Sequence, residues 1–302
     1  MIDEIHNTMS ITTSPASKKF EEFIISLLRR GDIRDVEKYV DERALQTFML
    51  AFTHKSFDAV NNYELLELIG DVIVNAAVVN YIRQWDKKIV SVKYITRLKH
   101  NITSKKELAL VAEKAGFFEH IRMSNEMREG FMHMTPEQRH KDLSKFGYMS
   151  TLEDTFEGFL GAVQTVIDER SNIDFGIGFM ACHRIVASFL RDANAISIRY
   201  EDVFDAKTRL KELCDRRKWN FRRDVMRTKK FLKNDQDHYE VTVVGYPYGN
   251  RKVEERNALV LSTVILPSEL DAQNLASEQA LRVLKNRFDI YDVPPNPYKI
   301  EN

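Results

Sequence analysis

Acidic residues stand within two of the most apolar stretches of this 302-residue sequence. In YELLELIGDVIVNAA, the residues Glu64, Glu67 and Asp71 recur at spacings of three and four, which places them within about 60° on one face of a helix. In LEDTFEGFLGAV, Asp154 and Glu157 are three residues apart. A buried carboxylate is costly unless a cation or hydrogen bonds compensate it. The fold must therefore supply that compensation or leave these acids in solvent.

Small residues in the same two stretches favour a close helix crossing. Gly70 lies in the first stretch, and Gly158 and Gly161 lie in the second. A glycine inside a helix costs about 1 kcal/mol relative to alanine, so it needs a packing or functional reason. If the two acidic faces meet, at least four carboxylates cluster, and a hard divalent cation such as Mg²⁺ would relieve their repulsion. The alternative at this point is that each acid lies on a solvated helix face.

The sequence pattern divides the chain into two parts. Residues 1–17 are Ser/Thr-rich and aperiodic, which predicts a flexible tail. Apolar residues at helical spacing then predict a mainly α domain over 18–194, in which the Met- and charge-rich segment 123–150 is interpreted as a loop or insertion. An α-β-β-β-α order predicts a small α+β domain over 203–289, and 290–302 is a Pro-rich tail.

Composition narrows the class of protein. No apolar run approaches the 18 residues of a membrane span, no secretory signal is visible, and two cysteines are too few for a disulfide framework. We therefore expect a soluble intracellular protein without a membrane partner, located in the cytoplasm, with an organellar or viral setting left open. The net charge is zero, but residues 205–288 carry 18 Lys and Arg against 12 Asp and Glu. A basic part joined to an acidic part fits a polyanion-binding module beside a metal-using site.

Four short motifs follow one another along the first domain. Y-E-L-L-E-L-I-G-D at 63–71 corresponds to a family pattern N-E-R-L-E-F-L-G-D, and D-T-F-E-G-F-L-G-A at 154–162 corresponds to D-x-F-E-A, two apolar residues and G-A. Between and before them stand T-H-K-S at 53–56 and I-T-R-L at 95–98. In this order the motifs resemble the ribonuclease III family, over about residues 20–192.

The resemblance implies a helical ribonuclease III-like fold and an active enzyme. The family's catalytic and metal-binding acids correspond to Glu67, Asp71, Asp154 and Glu157, and its outer acid corresponds to Glu64. It implies an endoribonuclease that uses Mg²⁺, with Mn²⁺ as a substitute, to cut double-stranded RNA. The implied products carry 5′-phosphate and 3′-hydroxyl ends with short 3′ overhangs.

The resemblance also implies a homodimer. Leu68 stands where the family has a phenylalanine that inserts into the partner subunit, so we expect Leu68 at the dimer interface. A second hypothesis is a non-catalytic scaffold on the same fold, either RNA-binding or ribosome-associated. The complete set of acids counts against it, because a scaffold has no reason to keep four carboxylates in an apolar setting.

The second domain is similar to a double-stranded-RNA-binding domain. Its first helix at 205–213 and its middle strand at 239–243 match that pattern, but the S-K-K-x-A-K element corresponds to 268–273, where all three lysines are missing. Phosphate contacts supply most non-specific affinity for nucleic acid. The domain is therefore predicted to bind either RNA through other residues or a protein partner. The candidate RNA-binding residues are Lys207, Arg209, Glu212, Arg216, Arg217, Lys229 and Lys230.

Overall fold

The computed structural model describes residues 15–171, 176–219, 221, 225–233, 236–247 and 258–299. The chain folds as two compact units, which divide between Ile196 and Ser197, and the second unit ends at Pro297. The first is helical and the second combines helices with a three-stranded sheet, which confirms the predicted fold class.

Helices make up nearly all of the first unit in the part of the chain that is described. They are α1 (Pro15–Arg29), α2 (Glu42–Ala51), α3 (Glu64–Trp85), α4 (Val92–Ile102), α5 (Lys105–Lys114), α6 (Asn125–His133), α7 (Pro136–Lys141), α8 (Tyr148–Ser171) and α9 (Ile177–Asp192). Short 3-10 helices occupy Val36–Tyr39 and Phe117–His120. Helix α1 begins inside the segment 1–17 that was predicted as a tail, and residues 1–14 of that segment lie outside the described residues.

Helices α3 and α8 form the most extensive helix pair of the described residues, and α9 packs against both. Helix α8 is buried along most of its length, and its Phe156 and Phe159 pack with Phe117 in the core. Helix α3 is long and apolar enough to span a membrane by length and composition alone. In this fold it serves as a core helix that carries acids on one face.

The interpretation of 123–150 as a loop is wrong for three stretches, because α6 and α7 form there and α8 begins at Tyr148. Ser124 caps α6 by accepting a hydrogen bond from the backbone N–H of Met127 at 3.3 Å. Helix α7 begins with a capping box, in which Thr135 and Gln138 each bond the other's backbone N–H. These caps offset the weak apolar pattern of the segment.

The second unit contains α10 (Tyr200–Val203), α11 (Ala206–Arg216), β1 (Met226–Lys233), β2 (Gln236–Gly245), β3 (Leu259–Leu266) and α12 (Glu269–Phe288). Its antiparallel sheet has the order β1-β2-β3, with Thr228 opposite Val241 and Val241 opposite Val264. A bulge at Val243 and Val244 interrupts the pairing of β2 with β3. Buried residues of α11 and α12 join the apolar side chains of the sheet in one core.

Candidate active site

The two acid-bearing helices touch backbone to backbone. A Cβ atom added at Gly70 of α3 would lie 1.8 Å from the carbonyl oxygen of Glu157. A Cβ atom at Gly161 of α8 would lie 2.1 Å from the carbonyl oxygen of Leu66. No residue with a Cβ atom fits at either position, so the two glycines allow the short distance between the helices. The close crossing expected from the sequence is present, and it brings the acidic faces together.

Burial raises the pKa of three carboxylates at this crossing. Burial raises the pKa of Glu157 to about 9, and repulsion from Glu153 and Asp71 adds to the effect. Burial likewise raises the pKa of Asp154 to about 7, with Glu67 and Glu153 adding to it. The pKa of Glu67 is also raised, first by burial and then by the charge of Glu64. Glu67, Asp154 and Glu157 therefore lie close enough for neighbouring negative charges to raise the pKa of each.

Hydrogen bonds hold two of the acids in place. The hydroxyl of the buried Tyr63 donates to Asp154 Oδ2 at 3.2 Å. Asp71 is exposed, and its Oδ1 accepts a hydrogen bond from Asn75 Nδ2 at 2.8 Å. Tyr63 replaces an asparagine of the family pattern, and its position one turn before Glu67 gives it reach across the crossing to α8. Its role depends on that tertiary contact, which the sequence does not reveal.

The outer acid has a cation of its own. Lys55 Nζ lies 2.8 Å from Glu64 Oε1, and this hydrogen bond is the main cause of the lowered pKa of Glu64. Lys55 also stacks over the ring of Phe146 at 4.7 Å. Glu64 is therefore an exposed, ion-paired residue at the rim, whereas Glu157 is the buried member of the cluster.

A fifth carboxylate belongs to the cluster and escaped the sequence reasoning. Glu153 precedes Asp154 and stands four residues before Glu157, so it shares the acidic face of α8. Lys105, the first residue of α5, pairs with it at 3.0 Å. The spacing of Glu153 to Glu157 was a usable signal, but Lys105 comes from a different helix and had none.

The donor set fits a hard divalent cation. The four acids Glu67, Asp71, Asp154 and Glu157, called the signature acids below, offer only carboxylate oxygens. These are the ligands that Mg²⁺ prefers. Within the described residues, no three His, Cys, Asp or Glu side chains already converge in metal-ligand geometry. A bound cation would offset both the repulsion among these acids and the cost of their burial.

Several predicted RNA-binding residues of the second unit hold that unit together. Arg209 forms an ion pair of 3.1 Å with Asp292, and both side chains are largely buried. Arg216 donates to the carbonyl oxygen of Val293 at 2.7 Å. The other three contacts are Lys207 Nζ to Gln273 at 2.6 Å, Tyr200 hydroxyl to Glu212 at 3.3 Å, and Lys230 to Asp237 at 2.7 Å. Arg217 and Lys229 have exposed side chains.

The N-terminus of α12 is acidic where the family pattern has lysines. Ser268 caps the helix by accepting from the backbone N–H of Asp271, and Glu269 and Asp271 occupy the first turn. Acids at this end complement the helix dipole. A phosphate group at the same place would meet two negative charges.

The region that contains the acidic crossing matches a known family. Residues 45–167 match the model described as Ribonuclease-III-like. The chain carries a ribonuclease III-like domain. This match confirms the resemblance stated from the motifs.

Three relatives of this ribonuclease III-like protein have related names. A "Putative ribonuclease 3" of Frog virus 3 (isolate Goorha) is 36% identical over 170 residues, and the match spans 55% of this chain but 41% of the relative. A protein of the same name from Invertebrate iridescent virus 6 is 28% identical over 294 residues, which span 93% of this chain and 92% of the relative. The "Ribonuclease 3" of Lactobacillus acidophilus is 32% identical over 120 residues, 37% of this chain and 46% of that protein.

Two solved structures are similar to this chain in part. The nuclease domain of ribonuclease III from Campylobacter jejuni is 21% identical and covers 55% of this chain and 100% of its own, with a TM-score of 0.40. Dicer from Pichia stipitis is 16% identical and covers 81% of this chain and 94% of its own, with a TM-score of 0.33.

Proposed function

We propose that this ribonuclease III-like protein is a Mg²⁺-dependent endoribonuclease that cuts double-stranded RNA. The observation that carries the proposal is the gathering of Glu67, Asp71, Asp154 and Glu157 at the crossing of α3 and α8. A partly buried set of like charges is unfavourable by itself, so its presence in the core indicates a cation partner. Mn²⁺ also prefers oxygen ligands and is the expected substitute.

The chemistry follows from these ligands. A divalent cation held by the four acids would supply an activated water for in-line attack on phosphorus and would neutralise charge on the leaving 3′ oxygen. With water as nucleophile and the 3′ oxygen as leaving group, the products are a 5′-phosphate and a 3′-hydroxyl. The protein's part is positional: Tyr63 orients Asp154 by its hydrogen bond, and the glycine contacts fix the distance between the two acid pairs.

An apolar stripe on α3 supports a homodimer. Leu65, Leu68 and Val72 lie at spacings of three and four, and their exposed fractions are 56%, 66% and 66%. Exposed apolar side chains in one row are typical of an interface between subunits. A two-fold dimer through Leu68 would give two acid clusters, one for each strand of a duplex, and a staggered cut with short 3′ overhangs.

The RNA is expected to be recognised by shape. The grooves of A-form RNA offer mainly 2′-hydroxyls and phosphates, so sequence selectivity should be weak. In the second unit, Arg216, Arg217, Lys229 and Lys230 are the predicted residues with exposed side chains, and Arg216 and Lys230 already contact Val293 and Asp237. The acidic first turn of α12 disfavours phosphate. The alternative is that the second unit binds a protein partner instead of RNA.

The test is cleavage of a long, end-labelled RNA duplex with and without Mg²⁺. Glu157→Gln keeps the size of the side chain and removes its charge, so cleavage should fall by about 100-fold or more. Glu169→Gln is the matched control, because Glu169 lies on the same helix with an exposed side chain. A Glu157→Gln protein that cuts as fast as the wild type would contradict the proposed site.

A further inference from the structure

The pair formed by Lys105 and Glu153 is built into the wall of the acid cluster. Lys105 Nζ lies 3.0 Å from Glu153 Oε2 and donates to Ser150 Oγ at 2.9 Å. Ser150 is buried, and its hydroxyl bonds the carbonyl oxygen of Ser144. The ammonium group therefore has a fixed place, held by one residue of α8 and paired with another. An exposed surface ion pair has no such buried anchor.

Glu153 needs this partner because of its neighbours. Its side chain is 15% exposed, and it stands four residues before Glu157 on the same helix face. Like charges at this spacing repel each other. Its charge also acts on Glu67 and Asp154, since it contributes to the raised pKa of each. Without Lys105, the cluster would hold a fifth negative charge with no compensation.

We infer that Lys105 is a positioning residue for the cation site. By pairing with Glu153, it sets the net negative charge of the site in which the four signature acids bind their divalent cation. This inference rests on the proposed function, since it concerns the affinity of that same site. The ammonium group cancels one carboxylate, so the site binds its cation less tightly than five free acids would. Glu153 stays paired with Lys105 and outside the set of metal ligands.

Single substitutions of the pair should shift cation affinity in opposite directions. Lys105→Met leaves Glu153 uncompensated and should lower the Mg²⁺ concentration for half-saturation by about 10-fold. Glu153→Gln leaves the ammonium uncompensated beside the signature acids and should raise that concentration by about 10-fold. The double variant should return close to the wild type. A pair with a purely structural role would lower stability in both single variants without this opposition.

The experiment is thermal unfolding of the full chain at pH 8 over a series of Mg²⁺ concentrations, which reports cation binding without RNA. Lys38→Met is the matched control, because Lys38 forms an exposed ion pair with Asp35 in the same unit. If Lys105→Met does not fold, the rise in half-saturation for Glu153→Gln alone decides the matter. Shifts of the same sign, or none, in variants that bind Mg²⁺ would overturn the role of the pair. If neither Mg²⁺ nor Mn²⁺ changes the Tm of the wild-type protein, the proposed metal site itself is contradicted.

Discussion

Glu157 is the residue at which the first unit concentrates negative charge. It is 7% exposed and faces Asp71, Glu153 and Asp154 across and along the helices. In the absence of a cation, such a side chain opposes folding, because its pKa is raised to about 9 and it must either take up a proton or carry a desolvated, repelled charge. With a cation bound, the same charge stabilises the folded chain, because the cation binds only the assembled site.

Glu157→Gln should therefore raise Tm by about 3–6 °C in EDTA at neutral pH, since the amide is neutral and folds without taking up a proton or burying a charge. Added Mg²⁺ should raise the Tm of the wild type and narrow or reverse this difference. Thermal unfolding in EDTA and in Mg²⁺ checks both parts, with Glu169→Gln expected to follow the wild type. A lower Tm for Glu157→Gln in EDTA would show that the carboxylate has a compensating partner within the chain.

Individual acids could be predicted as site residues where their neighbours along the chain are apolar. Asp71 and Glu157 stood out because apolar residues surround them along the chain. Tyr63 and Lys105 could not be recognised in the same way, because a tyrosine before a helix and a lysine at a helix start are ordinary. Only the packing of α3 and α5 against α8 brings the polar atoms of Tyr63 and Lys105 to Asp154 and Glu153.

At the scale of elements, the site depends on the pairing of α3 with α8. The backbone contacts at Gly70 and Gly161 leave no space for a methyl group. A helix pair of this kind cannot yield by rotating a side chain, because the clashing atoms belong to the main chain of the neighbour. The distance between the two acid pairs is therefore as rigid as the core itself.

Gly70→Ala should cost about 3 kcal/mol or more, because the added Cβ would lie 1.8 Å from the Glu157 carbonyl oxygen. Gly130→Ala provides the contrast. Gly130 lies within α6, and a Cβ there would meet no atom within 4 Å. This change should increase stability by up to about 1 kcal/mol through helix propensity. Denaturant unfolding of both variants checks the pair, and equal effects would contradict the tight crossing.

The elements of the first unit were predictable where apolar spacing was strong, and α3 and α8 are the clearest cases. Helix α6 was missed because Met and charged residues surround its short apolar face, and α7 was missed because its residues after Pro136 are all polar. The sequence Thr135-Pro136-Glu137-Gln138 nevertheless contains a capping box with proline at the first helical position. Capping chemistry was a better guide to this segment than hydropathy.

At the scale of the whole molecule, the exposed stripe of α3 and the acid cluster occupy different faces of one helix. Glu67 is half-buried and Asp71 is exposed, and both act on acids of α8, whereas Leu65, Leu68 and Val72 form a separate exposed row. An assembly through this stripe would leave the cluster of each subunit open to RNA. The two faces of α3 would thus allow one helix to serve both the proposed site and the proposed interface.

Leu68→Asp should convert a wild-type dimer into a monomer, because a charge would be buried at the centre of the stripe. Val92→Asp is the control, since Val92 is 77% exposed and begins α4, away from the stripe. Sedimentation equilibrium at micromolar concentration measures the result. A wild-type monomer that cuts both strands of a duplex would contradict the dimer.

The contacts of Gly70 and Gly161 affect which residues evolution can replace in related proteins. The acids oppose the folding of the cation-free chain, whereas Gly70 and Gly161 are required by its packing. A lineage that stops cutting RNA can therefore exchange the carboxylates freely, and selection for stability favours the exchange. The same lineage must keep both glycines for as long as it keeps the fold. In a related sequence, glycines without acids would mark a former nuclease, and the two together would mark a working one.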